Sequence, residues 1–219
     1  VLLFNNFEPA FLIGALLGVL IGMTVHEFAH NYVAHLMGDP YPKRSGRLTL
    51  NPSVHIYWPG FIMFLLLGFG ILGTAPISAQ RMRNPRWGYL AAVAAGPFSN
   101  LLVAIVFGIF FRILFGMGPN ATFILQMLYY IIIFNVLLFI FNLLPMYPID
   151  GWHIVLSLLP AEQAYWWKRN AMYTQYIFIA LLLLSFILPP GSPLNILSLV
   201  LTQPMFAIVR IITGLPIGL

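Results

Sequence analysis

Two observations predict an all-α polytopic membrane protein. Hydrophobic residues fill 61% of the 219 positions and charged residues 7%, whereas a soluble domain carries roughly 25% charged residues. The apolar residues also run in about six long segments, near 9–37, 59–75, 88–115, 121–144, 171–189 and 195–213, separated by stretches rich in Pro, Gly, Asn and basic residues.

The segment 9–37 is too long and too uninterrupted for a signal peptide, and it carries His26, Glu27 and His30, so it belongs to the working fold. The segment 59–75 differs from the rest: Gly60, Gly68, Gly70 and Gly73 interrupt it, as in a short or re-entrant element. Charge supports the re-entrant reading. Lys43, Arg44 and Arg47 precede the segment and Arg81, Arg83 and Arg86 follow it, and both clusters prefer the cytoplasmic side. If 59–75 dips in and returns, then 88–115 exits, 121–144 comes back, and Asp150 lands on the side where the first helix ends. Alternating polar and apolar residues at 46–50 and 75–79 predict two short strands flanking the segment. The longest stretch between apolar segments, about 38–59, is loop-sized, so residues 1–219 read as one membrane domain.

The net charge of +5 is spread over short loops as a topology signal and does not point to nucleic acid. With no cysteine in the chain, disulfides and thiolate metal sites are excluded, so a metal must be held by His, Asp or Glu.

The string His26-Glu27-Phe28-Ala29-His30 sits inside an apolar segment, where ionisable side chains are costly and usually functional. Residues four apart on a helix share a face, so both imidazoles can bind one Zn²⁺ while Glu27 lies beside them, able to hold a water. A catalytic zinc site takes three protein ligands, and the candidates for the third are Glu8, His35, Asp39, His55, Asp150, His153 and Glu162. His35 falls half a turn out of phase with His26. The compact soluble-protease pattern needs glycine at Val33 and histidine at Leu36, and has neither. Asp39 reads as a turn or cap residue before Pro40, His55 beside Tyr57 and Trp58 as interfacial, and His153 as a supporting or interfacial residue near Asp150. Asp150 stands out, because it follows the helix-breaking run Asn142-Leu-Leu-Pro145-Met-Tyr-Pro148-Ile149 at the end of an apolar span.

Three strings occur in a set order: His26-Glu27-x-x-His30, Ala95-Gly96-Pro97-x-x-Asn100, and Asn142-Leu-Leu-Pro145-x-x-Pro148-x-Asp150-Gly151. In these the chain resembles the site-2 proteases, intramembrane zinc metalloproteases, over residues 26 to 151. The resemblance implies one Zn²⁺ held by His26, His30 and Asp150, Glu27 as general base, and Asn100 and Asn142 as substrate or oxyanion contacts. It further implies transmembrane proteins or peptides as substrates and a multi-pass position in a prokaryotic cell membrane. The chain looks like the short form, without PDZ or regulatory domains. It departs from the family at Ala75, where lysine is frequent before the proline, and at Trp152, where a second glycine is common.

Each residue also has a structural reading. Asn100 can link helices, Asn142 can satisfy carbonyls freed by Pro145 and Pro148, and Asn135 reads as structural. A rival function is a non-enzymatic transporter or metal-dependent scaffold, but a transporter spreads polar residues along the membrane, and here they gather in two motifs.

Overall fold

The computed structural model describes residues 8–67, 70, 73–116, 122–189 and 191–215. Those residues form α1 (Pro9–Leu36), α2 (Tyr41–Arg44), α3 (Trp58–Leu67), α4 (Pro85–Phe115), α5 (Thr122–Asn142), α6 (Asp150–Leu158), α7 (Ala161–Arg169), α8 (Ala171–Ile187) and α9 (Ile196–Thr213). Short 3₁₀ turns lie at Pro52–Val54 and Ala79–Arg81.

The core is a three-helix layer of α1, α4 and α5. Gly14, Gly18 and Gly22 form a stripe with four-residue spacing on α1. A Cβ on Gly14 would meet Met127 and Tyr130, one on Gly18 would meet Ile131 and Phe134, and one on Gly22 would meet Asn135. The order of these contacts makes α1 and α5 parallel, and small residues let the two backbones close up where no hydrophobic force acts between helices in lipid. Helix α4 runs antiparallel to α1, with Ala92 beside His30 and Asn100 beside His26. It starts on an Asn84 cap that accepts from the Trp87 amide, with Pro85 in the first turn where its missing N–H costs nothing. Helix α9 packs on the other side of α4 and α5, with Val209 buried against Ala104, Phe111 and Ile132.

About six apolar segments were expected, with 59–75 re-entrant; the structure supports four or five spans. Among the described residues four helices, α1, α4, α5 and α9, are long and apolar enough to cross a membrane, or five if α7 and α8, bent by 55°, make one span. The ten residues of α3 rise about 15 Å, half of a hydrocarbon core of about 30 Å. The 17 residues of α8 also fall short, at about 26 Å. The segment 59–75 lies partly outside the described residues, but Ile56 just before it and Gly73 near its end pair in an isolated antiparallel bridge. The chain therefore enters and leaves this segment at one place. The chain is an integral, multi-pass membrane protein.

No strand occurs among the described residues, which corrects the expectation at 46–50 and 75–79. These stretches look strand-like in sequence, but several of their amides bond to acceptors other than a neighbouring strand. The Arg47 N–H donates to the Pro42 carbonyl and the Ile77 N–H to the Ala75 carbonyl. The Ser78 N–H donates to the Asp39 carboxylate, and Pro76 has no N–H to offer.

Candidate metal centre

Helix α1 carries His26 and His30 on one face, and α6 begins at Asp150, so the turn after α5 delivers its carboxylate to the two imidazoles. Asp150 Oδ2 lies 3.1 Å from His26 Nε2 and 3.2 Å from His30 Nε2, and the two Nε2 atoms are 2.9 Å apart. Tetrahedral ligands about 2.0–2.1 Å from an ion stand about 3.3 Å from one another, close to all three separations. Among the described residues this is the group of three that can hold a metal ion.

Hydrogen bonding fixes what these atoms can do. His26 Nδ1 donates to Asn100 Oδ1 at 2.7 Å and His30 Nδ1 donates to the Ala92 carbonyl at 2.8 Å, since neither oxygen can give a proton. A neutral imidazole that donates from Nδ1 presents a lone pair at Nε2. Two lone pairs and a carboxylate oxygen therefore converge, and Asp150 Oδ2 is buried without any hydrogen bond. Three acceptors facing one another repel unless a cation lies among them. The donor set, two imidazoles and a carboxylate, suits Zn²⁺, and an outer shell that fixes the histidine tautomers is what a metal site requires.

Space for the group depends on glycine. A Cβ on Gly96 would lie 2.8 Å from His26 Nε2 and closer still to His30, which explains the small residue ahead of Pro97. Glu27 is buried on the next face of α1, and its Oε2 has no hydrogen-bond partner. A Cβ on Gly73 would lie 2.7 Å from Glu27 Oε1, so the chain leaving the 59–75 segment forms the wall beside that carboxylate. Both histidine side chains are about 5% exposed and that of Asp150 20%, so the group opens on the Asp150 side.

The expectation that Asn100 holds substrate meets a different placement. Asn100 is fully buried; besides accepting from His26, it donates through Nδ2 to the Gly22 carbonyl at 3.0 Å and to Asn135 Oδ1 at 3.3 Å. It stands behind His26. Asn135 continues this chain by donating to the carbonyls of Gly18 and Ile131. Asn142 is half-buried at the end of α5 and donates to the Leu138 carbonyl; no hydrogen bond among the described residues joins it to the metal group. His153 Nδ1 lies 3.1 Å from the Tyr89 hydroxyl, with the rings of Tyr147 and Trp152 around it. His55, expected at the interface, is instead 2% exposed, with Nε2 donating to the Thr49 carbonyl at 2.6 Å. His35 turns away, toward the Asp39 carbonyl.

Outside the membrane-crossing helices, Asp39 is fully buried just past α1. Burial alone would raise its carboxyl, but the hydrogen bonds from Arg81 and from the amides of Tyr41 and Ser78 outweigh that and hold it below the ordinary carboxylate range. Sequence reading placed Asn135 as structural and Asp39 as a turn residue, and missed the bond from Asn100 to Asn135, the contacts of Asp39 with Ser78 and Arg81, and the roles of Gly73 and Gly96. The four-residue spacing of Gly14, Gly18 and Gly22 was the available sign that α1 packs closely on a partner helix.

Comparison with known proteins agrees with this geometry. The profile of Peptidase family M50 matches residues 116–185, a stretch that contains Asp150 but not the two histidines. The chain is 37% identical over 180 residues to "Putative zinc metalloprotease YwhC" of Bacillus subtilis (strain 168), covering 80% of each chain. No solved structure matches. Likeness to a curated relative at that level and over that length establishes kinship, and the chain belongs to Peptidase family M50, the site-2 proteases.

Proposed function

We propose that this chain is an intramembrane zinc endopeptidase that hydrolyses peptide bonds in or near transmembrane segments of other proteins. Its ligands are His26, His30 and Asp150, and its general base is Glu27. The observation that carries this reading is the convergence of three buried acceptors beside a fourth, Glu27, which has no ligand to complete and no partner for Oε2.

Peptide hydrolysis needs an activated water, charge stabilisation at the carbonyl oxygen, and a proton for the leaving nitrogen. Zinc bound at this site supplies a coordinated water of pKa about 7 and a Lewis acid for the carbonyl. Glu27 takes the proton of the attacking water and returns it to the leaving amine. Asn100 and Ala92 hold the two imidazoles with Nε2 unprotonated. Asn142 presents its Oδ1 to an amide of an extended substrate. The opening on the Asp150 side admits peptide and water, and the site lies toward the basic end of α1, ten residues short of Leu36, about 15 Å along the axis. We assign residues 1–219 to one membrane domain, working in a prokaryotic cell membrane.

The test is Glu27→Gln in detergent-purified protein, with zinc per chain and cleavage of a transmembrane peptide measured together. The expected result is about one zinc per chain, as in the parent, with cleavage abolished. A Glu27→Gln variant that still cleaves, or a parent that takes up no zinc after resupply, overturns the reading and turns attention to a proton or ion pathway.

A further inference from the structure

Glu27 has an unusual support problem. Its Oε2 is buried with no hydrogen-bond partner, so packing rather than bonding sets where the carboxylate points. The wall against it is the backbone of Gly73, too close to accommodate even a methyl group. Gly73 lies at the head of 73–78; apart from the single bridge from Gly73 to Ile56, that stretch has no helix or strand to hold it. One bridge leaves 74–78 to be fixed by anchors from elsewhere in the chain.

Apart from Arg47, those anchors converge on one residue. Asp39 Oδ1 accepts from the Tyr41 N–H at 3.0 Å and from Arg81 Nε at 2.6 Å. Its Oδ2 accepts from the Ser78 N–H at 3.0 Å and from an Arg81 terminal nitrogen at 2.9 Å. The same Arg81 nitrogen donates to the Pro76 carbonyl at 2.9 Å, and Arg47 donates to the Thr74 carbonyl at 3.2 Å. The Tyr41 ring covers the Arg81 guanidinium at 5.0 Å. The Asp39 N–H itself donates to the Ala34 carbonyl, one helical turn past His30. Asp39 therefore joins the end of the metal-binding helix to the segment that walls Glu27.

We propose that Asp39, acting with Arg81, is a positioning residue for the hydrolytic reaction: it latches 73–78 so that Gly73 holds the Glu27 carboxylate toward the metal group. The proposal rests on the assignment of Glu27 as general base. A carboxylate is required because all four donors face it. In Asp39→Asn one oxygen becomes an NH₂ group, which meets either the Tyr41 or the Ser78 N–H together with one arm of Arg81, donor against donor. The metal ligands touch none of these atoms.

The chain has no cysteine, so one introduced thiol reports on one place. The experiment compares Asp39→Asn and Arg81→Gln, each in an Ala75→Cys background, for zinc per chain, kcat and KM on a transmembrane peptide, and maleimide labelling rate. The same pair with Tyr165→Cys, far along α7 and exposed, serves as the labelling control. The latch predicts retained zinc, kcat lower by about tenfold or more with KM within about threefold, as expected of a misplaced catalytic group, and faster labelling at position 75 only. Unchanged kcat and labelling in both variants overturn the proposal. So does zinc loss in step with activity, because Asp39 would then act on the fold as a whole. If Glu27→Gln still cleaves, the base assignment fails while the labelling result still reports on the latch.

Discussion

A methyl group on Gly96 tests the metal geometry directly. It would sit 2.8 Å from His26 Nε2 and nearer still to His30, and ordinary contact begins at 3.4 Å, so the His26 ring must retreat by about 0.6 Å, where zinc sites tolerate about 0.2 Å. Neither obvious escape works. The imidazoles cannot swing away without stretching the bonds from Nδ1 to Asn100 and Ala92, of 2.7 and 2.8 Å. Helix α4 cannot back off, because Asn100, Ala92 and Gly96 all belong to it. Gly96→Ala should therefore lower zinc affinity by more than about 100-fold, beyond the usual cost of disturbing outer-shell partners. The accompanying overpacking should cost about 1–3 kcal/mol. The assay is competition for zinc against a chelator of known affinity on purified protein, with helical circular dichroism as the folding control. A folded Gly96→Ala protein with the parent's zinc affinity would refute the placement of α4 against the histidines.

The other predictions separate metal holding from catalysis and from the latch. Gly73→Ala pushes a methyl to within 2.7 Å of Glu27 Oε1 and touches no ligand; zinc content should stay at the parent level while kcat falls about tenfold or more. Asn100→Ala leaves the His26 Nδ1–H without its acceptor and should weaken zinc binding by about 10- to 100-fold, measured by the same competition. The Asp39 carboxyl is held below its ordinary range, so its contribution to stability is fully present above the unfolded-state value of about 3.9 and is lost as pH falls through the lower folded value. The groups facing it are Arg81, which stays charged, with the Tyr41 ring over it, and His35 at its carbonyl. Labelling at position 75 by a pyridyl disulfide, which reacts with thiols at acid pH, taken as a ratio to the Tyr165→Cys control to cancel the loss of thiolate, should therefore be flat from pH 7 to about 5 and rise only below about 4, and Asp39→Asn should remove that step.

The parts of the site legible in sequence were those set by local periodicity or by charge. The spacing of His26 and His30 fixes a shared helical face, and the placement of basic residues put Asp150 at the correct end of α1. Partners fixed by helix rotation were not legible. Asn135 and Asn100 meet only because the glycines of α1 let α5 close in, so Asn135 read as structural with no visible partner. The strand-like alternation at 75–79 misled because Asp39, 39 residues before Ser78 in sequence, supplies the acceptor that a neighbouring strand would have offered. Asp39 does cap the turn into α2, as its place before Pro40 suggests; its second oxygen and Arg81 lie beyond any local pattern. His55 beside Tyr57 and Trp58 had the composition of an interface, but the bridge from Ile56 to Gly73 draws that stretch inward.

Asp150, the proposed third ligand, shows how the protein offsets the cost of gathering acceptors in a low-dielectric place. Asp150 stands at the first position of a nine-residue helix, too short to hold itself in place. That helix is secured at its far end, where Arg86 at the start of α4 donates to the carbonyls of Ser157, Leu158 and Leu159. These carbonyls belong to the unpaired end of a helix, where a cation is favourable. Helix α4 thus orients both histidines through Ala92 and Asn100, leaves room for them at Gly96, and fixes the helix that supplies the carboxylate. All three proposed ligands refer to one element, α4, so packing sets their spacing. Glu27 lies outside that arrangement, against Gly73, so the proposed latch predicts that it can be displaced while the three proposed ligands keep their places.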